Sequence, residues 1–187
     1  MVLTEALYVQ ELKKKTTIVH TLGPQGTNCE KAGLLWLKNQ GVKGEVVLHK
    51  TLEEALPHVN KTENSVLLGC AVYPYLHDLV FKNLSSLKMI DSFIMPTYNM
   101  VLAAREEIIC SKNMKIACHP APVELAQLFS NHVKLVSSNA QAALDCALGI
   151  VDVCITTIKA AEQNKLLVIK DFGEVPMCFT IHARKLD

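Results

Sequence analysis

The sequence holds no CxxC pair and no cysteine–histidine cluster with zinc spacing, since Cys118-His119 stands alone. A structural metal is therefore not expected. No apolar run approaches the ~20 residues that cross a bilayer. In MVLTEALYVQELKKKT the lysines follow the mildly apolar part, the reverse of a secretory signal. The chain is expected in the cytoplasm, with no membrane partner. Charge of one sign is also lacking: 19 basic residues face 18 acidic ones, and Lys13, Lys14 and Lys15 form the only basic run. That leaves no electrostatic footprint for nucleic acid or an anionic surface. Internal repeats and low-complexity segments are absent, and Arg105 and Arg184 are the only arginines.

Half of the 187 residues are apolar, enough for a sizeable core. The seven cysteines, at 29, 70, 110, 118, 146, 154 and 178, are odd in number and dispersed through apolar segments. They read as reduced core thiols.

Short β-rich runs alternate with helical patterns: 16–22 then 28–40, 45–50 then 51–59, 65–73 then 77–87. Later come 92–105, interrupted by Pro96, then 115–119 and a helix over 120–129. The last third gives strands at 133–138 and 151–156, each followed by a helix, at 139–148 and 157–164, and then strands at 166–173 and 176–185. This pattern predicts an α/β fold with parallel strands, and Pro96 marks a crossing between lobes. The first fifteen residues read equally as a helix, a dimer arm or a frayed tail, so a homodimer stays open.

Three helix starts fit the capping box: Thr27 with Glu30, Thr51 with Glu54, and Ser138 with Gln141. Thr27 and Ser138 each follow a β-rich run directly, where strand ends and helix N-termini gather to hold ligands in open α/β sheets. In GPQGTNCE, Gly23 and Gly26 permit backbone angles closed to other residues and Pro24 stiffens the turn. The N–H groups of Thr27, Asn28 and Cys29 would then face an anion. Glu30 would repel that anion unless it turns back to cap the turn.

TLGPQGTNCEKAG resembles the Gly-Pro-x-Gly-Thr signature that opens prephenate dehydratase domains, and the likeness runs over 17–182. IACHPAPVELAQ, the stretch 139–143 and CITTIKAAEQNKLLVIKDFG resemble further segments of that family. The resemblance implies two α/β lobes with a substrate cleft between them, like type II periplasmic binding proteins. The expected division is an arm at 1–15, lobe one at 16–95 plus 157–187, and lobe two at 96–156. No regulatory ACT domain is expected after Asp187.

Two family motifs are replaced. Tyr73-Pro74-Tyr75 stands where dehydratases carry Glu-Asn-Ser, and Met177-Cys178-Phe179 where they carry Thr-Arg-Phe. That threonine is thought to help the ring hydroxyl leave, and the arginine to hold a carboxylate. Thr180 does not stand in for the threonine, because a one-residue shift on a strand points to the other face. LLGCAVYPYLHDLVF, DSFIMPTYNMVLA and DFGEVPMCFTIH resemble the bacilysin-type, non-aromatising prephenate decarboxylases within this family. The resemblance implies loss of carbon dioxide from prephenate with ring protonation, giving a dihydro-4-hydroxyphenylpyruvate in antibiotic biosynthesis. An ordinary dehydratase and a non-catalytic small-ligand-binding module are the competing readings.

No cofactor is expected, since the ring diene itself accepts the electrons. The reaction needs carboxylate anchors and a proton donor. Gly26, Thr27, Asn28, Ser138, Asn139, Thr156, Met177 and Cys178 are the expected substrate-binding residues. His77, Tyr73 and His119 are the expected catalytic ones, with Tyr75 a further donor candidate. The helix dipole is expected to lower the His119 pKa and weaken it as an acid. Glu174 reads as a turn residue before Pro176 rather than as a group that orients a donor, and His20, His49, His58 and His132 have no assigned partners.

Overall fold

The computed structural model describes residues 2–109 and 111–185. Cys110 and Asp187, both named above, lie outside them. The chain forms two compact units, one from Met1–Met95 with Met177–Asp187, the other from Pro96–Pro176.

The first unit begins with helix α1 (Val2–Lys15). Val9 and Leu12 pack against the core, and Lys13 Nζ meets Asp91 at 2.9 Å. Trp36 Nε1 donates to the same carboxylate at 2.8 Å. Of the three readings of the N-terminus, a helix docked on its own unit is the one observed. Strand β1 (Ile18–Leu22) pairs in parallel with β2 (Glu45–His49) and β3 (Ser65–Cys70). Strand β10 (Pro176–Arg184) runs antiparallel to β3, and β4 (Leu87–Pro96) closes the order β2-β1-β3-β10-β4.

Helices α2 (Asn28–Asn39), α3 (Leu52–Lys61) and α4 (Leu76–Lys82) follow β1, β2 and β3. Helix α2 buries Cys29, Ala32, Gly33, Trp36 and Leu37, the spacing of a single apolar stripe. Gly33 is required there, because a Cβ would stand 2.9 Å from Val46 Cγ2. Helix α4 is shorter than the expected 77–87. Asn83 Nδ2 caps the Leu79 carbonyl at 2.7 Å, and the Asn-Leu-Ser-Ser that follows favours a turn before β4 starts at Leu87.

In the second unit β6 (Lys115–Cys118) pairs in parallel with β7 (His132–Leu135) and β8 (Val153–Thr157). Strand β5 (Met100–Ala104) runs antiparallel to β8 and to β9 (Leu167–Gly173), giving the order β7-β6-β8-β5-β9. Helices α5 (Val123–Gln127), α6 (Asn139–Ala147) and α7 (Ile158–Gln163) follow β6, β7 and β8. The sequence reading returned the chain to lobe one at residue 157, whereas the second unit extends to Pro176. Strand β9 bonds along β5, and Ala160, Ala161 and Leu166 share a core with Ala142 and Ala143. An apolar run such as 166–173 reads the same whichever sheet receives it.

Both sheets use one permutation. Three parallel strands, with the first in the middle, are followed by an antiparallel strand and then a fifth. This repeat of topology leaves no repeat in the sequence. Cys29, Cys70, Cys118, Cys146 and Cys154 are buried free thiols and Cys178 is half-buried.

Candidate functional site

In each unit the parallel strands deliver helix N-termini to one sheet end. After β1, Gly23 N–H donates to the His49 carbonyl at 2.8 Å and Gly26 adopts φ +84°, a left-handed conformation that suits glycine. Glu30 does turn back, its carboxylate accepting the Gly26 N–H at 2.5 Å. That donor therefore serves the turn. Thr27 is the N-cap of α2; its hydroxyl accepts from Glu30 N and donates to the Leu22 carbonyl, both at a long 3.4 Å. The hydroxyl is loosely held, while Asn28 and Cys29 open the helix, which is the polarity that receives an anion.

After β3, Tyr73 O–H donates to Glu53 Oε2 at 2.6 Å. Burial, together with the Glu53 carboxylate, pushes the phenol pKa up to about 12. Tyr75 meets Tyr73 edge-on at 6.5 Å and is 62% exposed. His77, in the first turn of α4, is exposed with Nε2 3.1 Å from Asp78 Oδ1.

In the second unit Ser138 caps α6, its Oγ accepting from Gln141 N at 3.0 Å. Thr157, not Thr156, caps α7. The buried Thr156 hydroxyl donates to the Asn139 carbonyl at 2.6 Å, tying β8 to the start of α6. Asn139 Oδ1 is itself buried without a hydrogen-bond partner, an acceptor in want of a donor. His119 Nδ1 accepts from Ala121 N at 3.2 Å, and burial lowers its pKa. The direction is the expected one, but the cause is desolvation.

On β10, Met177 packs on the α2 side with Phe179, while Thr180 lies on the opposite face with Oγ1 2.9 Å from His182 Nε2. Cys178 is half-buried, and its carbonyl accepts from Ala71 N. Both arginines are spent on backbone: Arg105 Nη1 donates to the Cys146 and Val151 carbonyls, and Arg184 Nη1 to the Asn60 carbonyl at 3.0 Å.

Sequence reasoning missed two features. Glu53 was passed over for its neighbour Glu54, and only Tyr73 in space gives it a partner. His20, His49 and His58 form a ring cluster, with centroids 4.9 to 5.6 Å apart and His20 Nδ1 3.0 Å from His49 Nε2. Burial, and then the other two imidazoles, hold His20 at about 4; burial also lowers His49. The parallel register that sets Leu22 beside His49 was the signal, but no sequence states a register. Among the described residues no group of three or more His, Cys, Asp or Glu is placed to hold a metal ion, and no helix is long and apolar enough to cross a membrane.

These two sheets and their helix-edged strand ends define the α/β class of type II periplasmic binding proteins and prephenate dehydratases. No protein-family model matches the chain. Over 91% of its length it is 27% identical to the prephenate decarboxylase of Bacillus subtilis strain 168, covering 88% of that protein. It is also 27% identical to the prephenate decarboxylase of Planktothrix agardhii, over 91% of this chain and 90% of that one. Among solved structures, the quorum-quenching acylase GqqA aligns with TM-score 0.59 at 16% identity, over 91% of this chain and 65% of that one. The VFT2 domain of Bordetella pertussis BvgS aligns at 0.58 and 15%, over 95% and 84%. The prephenate dehydratase of Staphylococcus aureus aligns at 0.54 and 14%, over 89% and 67%. At these identities the structural likeness speaks for the fold alone.

Proposed function

We propose that this protein is a carboxy-lyase that removes carbon dioxide from prephenate without aromatising the ring. The observation that carries the reading is the similarity, over nine-tenths of the chain, to prephenate decarboxylases from two genera. The bond between the quaternary ring carbon and its carboxylate breaks, and the electron pair enters the ring diene. A ring carbon then takes up a proton, the hydroxyl stays, and the product is a dihydro-4-hydroxyphenylpyruvate. Met177 and Cys178 supply neither the hydroxyl-assisting threonine nor the arginine of the resembling dehydratases, which disfavours hydroxyl loss. We assign this step to a bacilysin-type antibiotic pathway in the cytoplasm.

In this reading Thr27 with the α2 N-terminus at Asn28 is the anion anchor of the first unit, and Ser138 with Asn139 is that of the second. Gly26 and Thr156 shape those two anchors, and Met177 and Cys178 border the ring. The donor must carry an available proton near neutrality. A phenol raised to about 12 gives its proton up poorly, and a buried imidazole with lowered pKa carries one too rarely. That turns the assignment away from Tyr73 and His119, and His77, which stands exposed in the first turn of α4, takes the donor role on its position, with Tyr73 positioning the substrate.

Purified protein mixed with prephenate tests the reading. Carbon dioxide released without an aromatic product, followed by ring-proton NMR, is the expected result. Rapid phenylpyruvate formation makes the chain a dehydratase, and no turnover makes it a binding module. In the double variant Met177→Thr, Cys178→Arg, some flux should move to phenylpyruvate. It should be a poor enzyme, because an unpaired guanidinium among apolar neighbours costs several kcal/mol.

A further inference from the structure

Three contacts hold Tyr73. Its N–H donates to the Cys70 carbonyl at 2.9 Å, and its ring packs with Leu22 against the core that Leu52, Ala55 and Leu79 share. Leu22 ends β1 immediately before the Gly23 turn, and β1 runs parallel to β3, so the phenol stands at the sheet end that carries the α2 N-terminus. The third contact is Glu53, in the first turn of α3, a turn fixed by the bond from Glu54 N to the Thr51 hydroxyl at 3.1 Å. An acid there suits the helix dipole wherever its carboxylate points. This one accepts the Tyr73 O–H at 2.6 Å, the length of a bond between a hydroxyl and a charged oxygen.

The bond decides what Tyr73 can offer a ligand. A phenol has one proton to give and two lone pairs to receive with. The proton is spent on Glu53, and the Leu52 backbone N–H also acts on the oxygen, which leaves one lone pair for a ligand. An anion at this oxygen finds no donor and a carboxylate behind it. A neutral hydroxyl finds an acceptor.

We propose that Glu53 fixes Tyr73 as a hydrogen-bond acceptor for the substrate's ring hydroxyl, and that this pair keeps the hydroxyl on the ring. The inference rests on the decarboxylase reading and adds to it a cause for the product. To leave, the hydroxyl oxygen must gain a proton and depart as water with the electron pair of its C–O bond. A hydroxyl that donates its own proton to Tyr73 is not offered a second one. Charge works in the same direction, because the departing oxygen becomes more negative and the Glu53 carboxylate beyond the phenol has the same sign. The electron pair released with carbon dioxide therefore stays in the ring and bonds the incoming proton at carbon. Glu53 acts through Tyr73 and is a positioning residue.

Steady-state turnover of prephenate, with products resolved by ring-proton NMR, tests this in the parent protein, Glu53→Gln, Tyr73→Phe and the double variant. An amide at position 53 can donate to the phenol oxygen and release its O–H towards the substrate. Glu53→Gln should therefore raise phenylpyruvate clearly above the parent's level and raise KM by about threefold to tenfold. Tyr73→Phe should raise KM similarly, and adding Glu53→Gln to it should change neither KM nor product further. A merely structural role would not alter the product, and thermal melting of each variant checks that the fold is kept. The tyrosine Cζ resonance that disappears in Tyr73→Phe should titrate at lower pH in Glu53→Gln than in the parent, which reports the bond without any turnover. If the parent decarboxylates prephenate while Glu53→Gln matches it in KM and product, or if the two substitutions add independently, the inference falls and the reading of the activity stands. If the parent leaves prephenate unchanged, both fall.

Discussion

His20 and His182 are neutral imidazoles enclosed by the first unit's sheet, each with one ring nitrogen buried and unpartnered. Burial leads in holding both near pKa 4. Above the ordinary histidine value of 6.5 they are neutral in the folded and the unfolded chain and leave stability unchanged. As pH falls below 6.5 the unfolded chain takes up the protons first, so stability declines until about pH 4, where the folded protein also protonates. The urea midpoint should therefore drop clearly between pH 7 and pH 5, and His20→Gln with His182→Gln should flatten that drop. A midpoint that is level between pH 7 and 5 in the parent protein would contradict the burial argument. Neither histidine announced this role in the sequence, because alternation assigns a face to a strand residue but not what lies over it.

At the scale of the element, capping chemistry was the most legible part. Thr27, Thr51 and Ser138 all cap the helices their spacing predicted. Thr156 shows the limit: a Thr-Thr pair at a strand end does not say which hydroxyl caps and which reaches Asn139. Thr27 also distinguishes cap from ligand anchor. Its two hydrogen bonds are long, so Thr27→Ala should cost no more than about 1 kcal/mol of stability. The Michaelis constant for prephenate should rise by more than that loss explains. Thermal melting and steady-state kinetics on one preparation separate the two effects, and a lost cap with unchanged kinetics would remove Thr27 from the proposed site.

For the whole molecule, fold class followed from strand–helix alternation, and nearly every strand lies within a few residues of its expected place. The allocation of 157–176 did not follow. Which sheet takes β9 is decided by bonds to β5, some 65 residues earlier in the chain. The Gly-Pro turn, the Thr-Arg replacement and the Tyr73 stretch were visible as motifs, whereas Glu53 and the histidine cluster exist only once β1, β2, β3 and α3 are assembled.

The strand order of the first sheet has a consequence for synthesis. Strand β10 is made last, yet it lies between β3 and β4, both completed before residue 97. The second unit is contiguous and holds every strand of its own sheet once Pro176 has left the ribosome. The first unit at that moment has β3 and β4 with no shared neighbour, and Phe179 and Ile181 are missing from its core. A nascent chain must therefore keep its earlier half waiting, with an open sheet edge exposed to other chains, until the residues of β10 emerge. A chain ended at Pro176 should show the imbalance directly: under limited proteolysis, fragments from the second unit should persist while the first is cut. Equal protection of both halves would mean that β10 is dispensable to the sheet it completes.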